Sequence, residues 1–125
     1  MTKKFLTLLA AAAAAMSIGT AMAHGPDKPK HGGAVATAGE LGFELAQQGD
    51  AVVLYVEDHG KPKSTEGITG KLTVLNGADK SEAELTPLGD NKLAANGIKV
   101  APGSKAVAAL TLPDKKALTV RFTVK

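Results

Sequence analysis

The stretch "ALTVRFTV", residues 117–124, decides the fold. Leu118, Val120, Phe122 and Val124 alternate with Thr119, Arg121 and Thr123. A period of two sends the first set to one face of a β-strand and the second set to the other. Reading back toward the N-terminus, "KAVAALTL" (105–112) reaches this segment through the turn pair Pro113-Asp114. "ITGKLTVL" (68–75) sets Ile68, Leu72 and Val74 against Thr69, Lys71 and Thr73. Asn76-Gly77 then turns the chain toward "SEAELTPL" (81–88). "AVVLYVED" (51–58) is almost continuously apolar, as expected of a strand covered on both sides. "ELGFELAQ" (40–47) places Leu41, Phe43 and Leu45 inward and Glu40 and Glu44 on a face that reads as solvent-exposed.

"GDN" (89–91) marks one further reversal before a weak "KLAA" strand. No segment after residue 23 sustains a helical period beyond a turn or two. About seven short antiparallel strands, punctuated by Gly, Asn and Pro, predict an all-β, immunoglobulin-like β-sandwich over residues 35–125. Val, Leu and Ala must carry most of its core, because Phe43, Tyr55 and Phe122 are the only aromatics there. One connection, "EDHGKPKSTEG" (57–67), reads as a long loop, and long loops on small domains are where binding residues concentrate.

The ends carry different information. Lys3 and Lys4, the apolar run Phe5 to Ala15 and the small-residue site Ala21-Met22-Ala23 read as a secretory signal peptide over residues 1–23. The run is short for a membrane span and no second one follows, so the expectation is a periplasmic chain with no stable span after cleavage. Residues 24–34, rich in His, Pro, Gly and Lys, read as a flexible arm. Loss of Lys3 and Lys4 takes Lys and Arg from 15 to 13 against 12 acidic residues, a net charge of +1. That balance gives no reason to expect a nucleic-acid partner. Cysteine is absent and Met1, Met16 and Met22 all lie in the signal, so the processed chain has neither a disulfide nor a soft metal ligand.

Processing after Ala23 would make His24 the first residue. Its α-amine and imidazole Nδ1 could then close a chelate ring on one ion. Pro26 has no N–H, so copper could not continue along deprotonated amides past Gly25. Further donors must come from elsewhere, and His31, His59 and Asp58 are the candidates. A second imidazole and an oxygen would complete a tetragonal N/O site suited to Cu(II), with Zn(II) or Ni(II) less favoured. The triplets Lys28-Pro29-Lys30 and Lys61-Pro62-Lys63 read as stiff, solvated segments whose charge mildly opposes cation binding. Asp58 and His59 are neighbours on a strand and are expected on opposite faces. No nucleophile elbow, phosphate loop, dinucleotide fingerprint or EF-hand loop is present, so the expectation is a non-enzymatic protein.

On the segments "HGG" after a short charged arm, "FELAQQGDAVVLYVEDHGKP", "GKLTVLNG" and "AVAALTLPDKKALTVRFTVK", the chain resembles small periplasmic proteins that accompany copper and heavy-metal efflux systems. A looser similarity, in architecture and His24 alone, is to the CopC copper-resistance carriers. Their sites add an Asp-x-His motif, whereas Asp58 and His59 are adjacent here. The resemblance implies an exported carrier that takes Cu(II) and meets an efflux component. The competing expectation is a β-sandwich interaction module of an envelope complex in which the histidines bind nothing.

Overall fold

The computed structural model describes residues 28–125, so the expected signal peptide over residues 1–23 and the first residues of the expected arm, His24 included, lie outside the described residues. Nine strands follow in order: β1 (Ala34–Ala38), β2 (Leu41–Gln48), β3 (Ala51–Asp58), β4 (Lys61–Pro62), β5 (Thr69–Asn76), β6 (Asp79–Gly89), β7 (Lys92–Asn96), β8 (Lys105–Thr111) and β9 (Ala117–Thr123). The alternation that opens the sequence reading is met in β9, where Val120 and Phe122 are buried and Thr119, Arg121 and Thr123 are exposed.

All ladders are antiparallel, in the order β1-β2-β3-β7-β6-β5-β8-β9, with β4 added beside β3. Strands β5, β6 and β7 are linked by successive turns, and β8 returns to lie beside β5, which makes a Greek key. Strand β6 turns the corner between the two halves. Its residues up to Leu85 pair with β5, and from Thr86 it pairs with β7. The register shifts between Pro87 and Gly89. A proline cannot donate to a ladder and a bulge bends a strand, so the break falls where the sheet must fold over. At the far ends of the order, β1 lies against β9 without a hydrogen-bonded ladder. The sheet thus comes close to closing into a barrel.

That arrangement keeps the predicted antiparallel all-β class, with more strands than expected. It departs from the immunoglobulin-like connectivity, in which the second and third strands belong to opposite sheets. Here β2 and β3 are hairpin partners from Gln48↔Ala51 to Leu41↔Asp58. The core is one cluster in which Leu45, Leu54, Leu72, Leu85, Leu93, Leu110 and Val120 are almost wholly buried. Each such side chain contributes about 1.5–3 kcal/mol relative to leaving it in water.

The expected long loop at 57–67 is instead folded back on the barrel. Strand β4 extends the β3 ladder through Glu57↔Pro62 and Asp58↔Lys61. Beyond it Thr65, fully buried, donates its hydroxyl to the Lys92 carbonyl at 2.8 Å and its N–H to the Asp90 carbonyl at 3.1 Å. Residues 63–67 stay outside any strand, and between β3 and β4 lies a two-residue hairpin tip, His59-Gly60, in which both residues have positive φ (55° and 83°). Such a pair suits the right-handed twist of the flanking strands.

Candidate functional site

The face of β2 and β3 that looks away from the core carries Glu44, Tyr55 and Glu57. Glu44 stands opposite Tyr55, and Gly42 stands opposite Glu57. These positions follow from the pleat, because Phe43, Leu45, Leu54 and Val56 take the core side. Onto this face the arm folds down. Gly32 has φ +73°, which only glycine adopts without strain, and a side chain on Gly33 would run into the Leu45 carbonyl. The pair Gly32-Gly33 therefore lets the chain turn and press against β2, and His31 comes down on the sheet.

Glu44 is the clasp. Its carboxylate accepts the backbone N–H of Lys30 (2.9 Å), His31 (2.8 Å) and Gly33 (2.8 Å), and its Oε1 lies 3.0 Å from Nδ1 of His31. The residue is only 6% exposed. This corrects the solvent-exposed reading for Glu44, while Glu40 is exposed as expected. Burial pushes the Glu44 carboxyl up, but the N–H groups of Gly33 and Lys30, the His31 ring and the His31 N–H together outweigh it. The carboxyl therefore stands below its ordinary value of 4.5. Lys30 to Gly33 are thus held to the sheet, where the sequence suggests a mobile tail.

The His31 imidazole lies flat on Tyr55, with ring centroids 3.7 Å apart and planes within 2°. An ionised carboxylate only accepts, so Nδ1 must carry the proton shared with Glu44. In the neutral ring this leaves Nε2 as the nitrogen with a lone pair. Among the described residues Nε2 has no hydrogen-bond partner, and the side chain is 37% exposed. Next to it the Lys30 ammonium pairs with Glu57 Oε2 at 2.6 Å. Lys30, His31, Gly42, Glu44, Tyr55 and Glu57 line a cavity of about 40 Å³. That is room for one water or one ion.

The second histidine pair is elsewhere. His59 Nδ1 lies 2.6 Å from Asp58 Oδ1, and the His59 side chain is 76% exposed. The strand rule that separates neighbouring side chains does not reach His59, because its positive φ turns it out of the strand and back toward Asp58. Of the residues singled out from the sequence, His31 is seated on the sheet, and His59 and Asp58 pair with each other at the hairpin tip. His24 lies outside the described residues. Among the described residues no group of three or more His, Cys, Asp or Glu side chains is arranged to hold a metal ion.

Glu44, Tyr55 and Glu57 were missed as site residues. Each sits at an outward position of a strand, and the alternation that identifies such positions does not say which of them another segment will cover. The "HGG" run was the available signal, since two glycines beside a histidine allow a close approach. No family model matches the chain, and no curated protein or solved structure matches it either. Among the described residues no helix is long and apolar enough to cross a membrane.

Proposed function

We propose that the protein is an exported, periplasmic metal-handling protein that captures Cu(II) through His24 and His31 and passes it to an efflux or storage partner. The observation that carries this reading is the His31 imidazole, oriented by Glu44 and Tyr55, which lines an ion-sized cavity and leaves Nε2 without a hydrogen-bond partner among the described residues. Metal-ligating histidines characteristically donate their other N–H to a carboxylate, which fixes the tautomer and raises the basicity of the ligating nitrogen. In this proposal His24 supplies its amine and imidazole as a chelate. Six residues separate it from His31, a span of seven residue steps that reaches at most about 25 Å, so the chelate can close on Nε2. The absence of sulfur after residue 23 favours Cu(II) over Cu(I). The resemblance to small periplasmic proteins that accompany efflux systems supports the same location and cargo. Asp58 and His59 become an outlying pair in which Asp58 orients His59 and is no longer a candidate ligand of the His31 site.

The test is a Cu(II) titration of the chain beginning at His24, followed by calorimetry and electron paramagnetic resonance. His24→Ala, His31→Ala and a single alanine added ahead of His24 should each weaken binding by at least about tenfold, the scale of losing part of a ligand set. Unchanged affinity in all three variants, with no rise in melting temperature on adding Cu(II), Zn(II) or Ni(II), would leave the protein an interaction module without a metal.

A further inference from the structure

The proposed site still lacks its oxygen donor. We propose that Glu57 supplies it, and that the Lys30 ammonium is the cation Glu57 holds until metal arrives. This rests on the metal-handling reading and names a ligand and a competitor within it.

Three carboxylates stand near His31 or in the adjoining stretch of β3, and two are committed. Glu44 already accepts three backbone N–H groups and the Nδ1 proton, so its lone pairs are engaged. Asp58 is bonded to His59 and, one residue past Glu57, belongs to the opposite side of the pleat. Glu57 shares the face of Tyr55 and lines the same cavity as His31. Its side chain is 18% exposed, and among the described residues its partner is the Lys30 ammonium.

The neighbour of Glu57 on β2 is Gly42, and the space beside it is open. A Cβ built on Gly42 meets nothing within 4 Å. A carboxylate drawn this far out of water requires a cation close by. Lys30 provides one on a flexible four-carbon stem whose side chain is 53% exposed, so the ammonium can swing into solvent without moving the backbone that Glu44 holds. A divalent ion entering the cavity would meet His31 Nε2 and Glu57 and would displace the ammonium. Part of the charge that opposes cation binding in the Lys28-Pro29-Lys30 segment then acts at Lys30 Nζ, while Lys28 lines the same cavity.

Opposite signs make the test sharp. Cu(II) alone is titrated into the chain beginning at His24 and into Glu57→Gln, Lys30→Gln and the double variant, with Lys63→Gln as a control away from the cavity. Glu57→Gln should weaken binding at least about tenfold. Lys30→Gln should strengthen it about two- to fivefold, the range that an exposed ion pair is worth. The double variant should match Glu57→Gln, since on this proposal Lys30 acts on the metal through Glu57, and Lys63→Gln should match the parent. If Glu57 and Lys30 form only a surface ion pair, both single variants keep the parent affinity, and this overturns the inference. The same holds if Lys30→Gln weakens binding. Should His24→Ala abolish binding while the cavity variants do nothing, the inference fails and the carrier reading stands. Should Glu57→Gln weaken binding while His24→Ala has no effect, the cavity ligand stands and the terminal chelate falls. A parent that takes up no Cu(II) overturns both.

Discussion

Replacing Glu44 by alanine removes the acceptor that holds the arm. Four contacts are lost: the N–H groups of Lys30, His31 and Gly33, and the His31 ring nitrogen. Hydrogen bonds to a charged group contribute about 1.5–3 kcal/mol each, or about 6–12 together. Against this stands the ordering of the four residues Lys30 to Gly33, at about 1–2 kcal/mol each. Desolvation of the carboxylate takes a further share, and about 2 kcal/mol remains to hold the arm down. Arm opening of that size corresponds to about 30-fold protection of the arm amides from hydrogen exchange, because every 1.4 kcal/mol is about a factor of ten. The Lys30, His31 and Gly33 amides should therefore exchange about 30-fold more slowly than in a short peptide of the same sequence. In Glu44→Ala they should exchange at the peptide rate, while the amides of β5 and β8 keep their protection. Equal protection of the arm in parent and variant would refute the clasp, and so would an unprotected arm in the parent.

The remaining predictions concern the same architecture. Because the Glu44 carboxyl stands below its ordinary value of 4.5 in the folded protein, its contribution is complete above that value and is lost as pH falls through the folded value. The ring-current shift of the His31 protons over Tyr55 should persist down to about pH 4.5 and disappear only in stronger acid; loss at neutral pH would contradict this. Gly33→Ala forces a Cβ against the Leu45 carbonyl and should release the arm, seen as the same loss of His31 shift at neutral pH with little change in melting temperature. Thr65→Val leaves the Lys92 carbonyl without its hydroxyl donor in a fully buried position. It should cost about 1–3 kcal/mol in denaturant unfolding, and a loss within about 0.3 kcal/mol would show that the return of the 57–67 segment does not depend on it.

The strand content was legible because it rests on local rules. Alternation in β9, the near-continuous apolar run of β3 and the Asn76-Gly77 reversal each report on a few neighbouring residues, and each appears where expected. Connectivity was less so. Whether β3 pairs on its second edge with β7, and β5 with β8, depends on contacts about 40 residues apart that no local pattern encodes. The site falls between the two cases. His31 stood out as chemistry, but Glu44 looked like an ordinary outward charge, because its burial comes from the arm and not from the sheet. Glu57 and Asp58 show the same limit from the other side. Period two separates the faces of adjacent carboxylates correctly, yet the sequence does not say that the arm will cover the face of Glu57.

The division of labour between arm and sheet has a consequence for affinity on the proposed reading. A ligand whose binding-competent state is populated only in part binds more weakly by that fraction. With arm opening at about 2 kcal/mol, His31 is in place more than nine-tenths of the time, and Cu(II) meets an imidazole whose tautomer and plane are already set. If Glu44→Ala reduces docking to roughly one molecule in ten, Cu(II) affinity should fall about tenfold although no ligand has been touched. The linkage is reciprocal, so saturating Cu(II) should restore the exchange protection of the Lys30 and His31 amides in that variant. A metal bound through His24 alone would leave the variant's affinity at the parent value and its arm amides unprotected. This separates a site built by docking from a chelate that ignores the barrel.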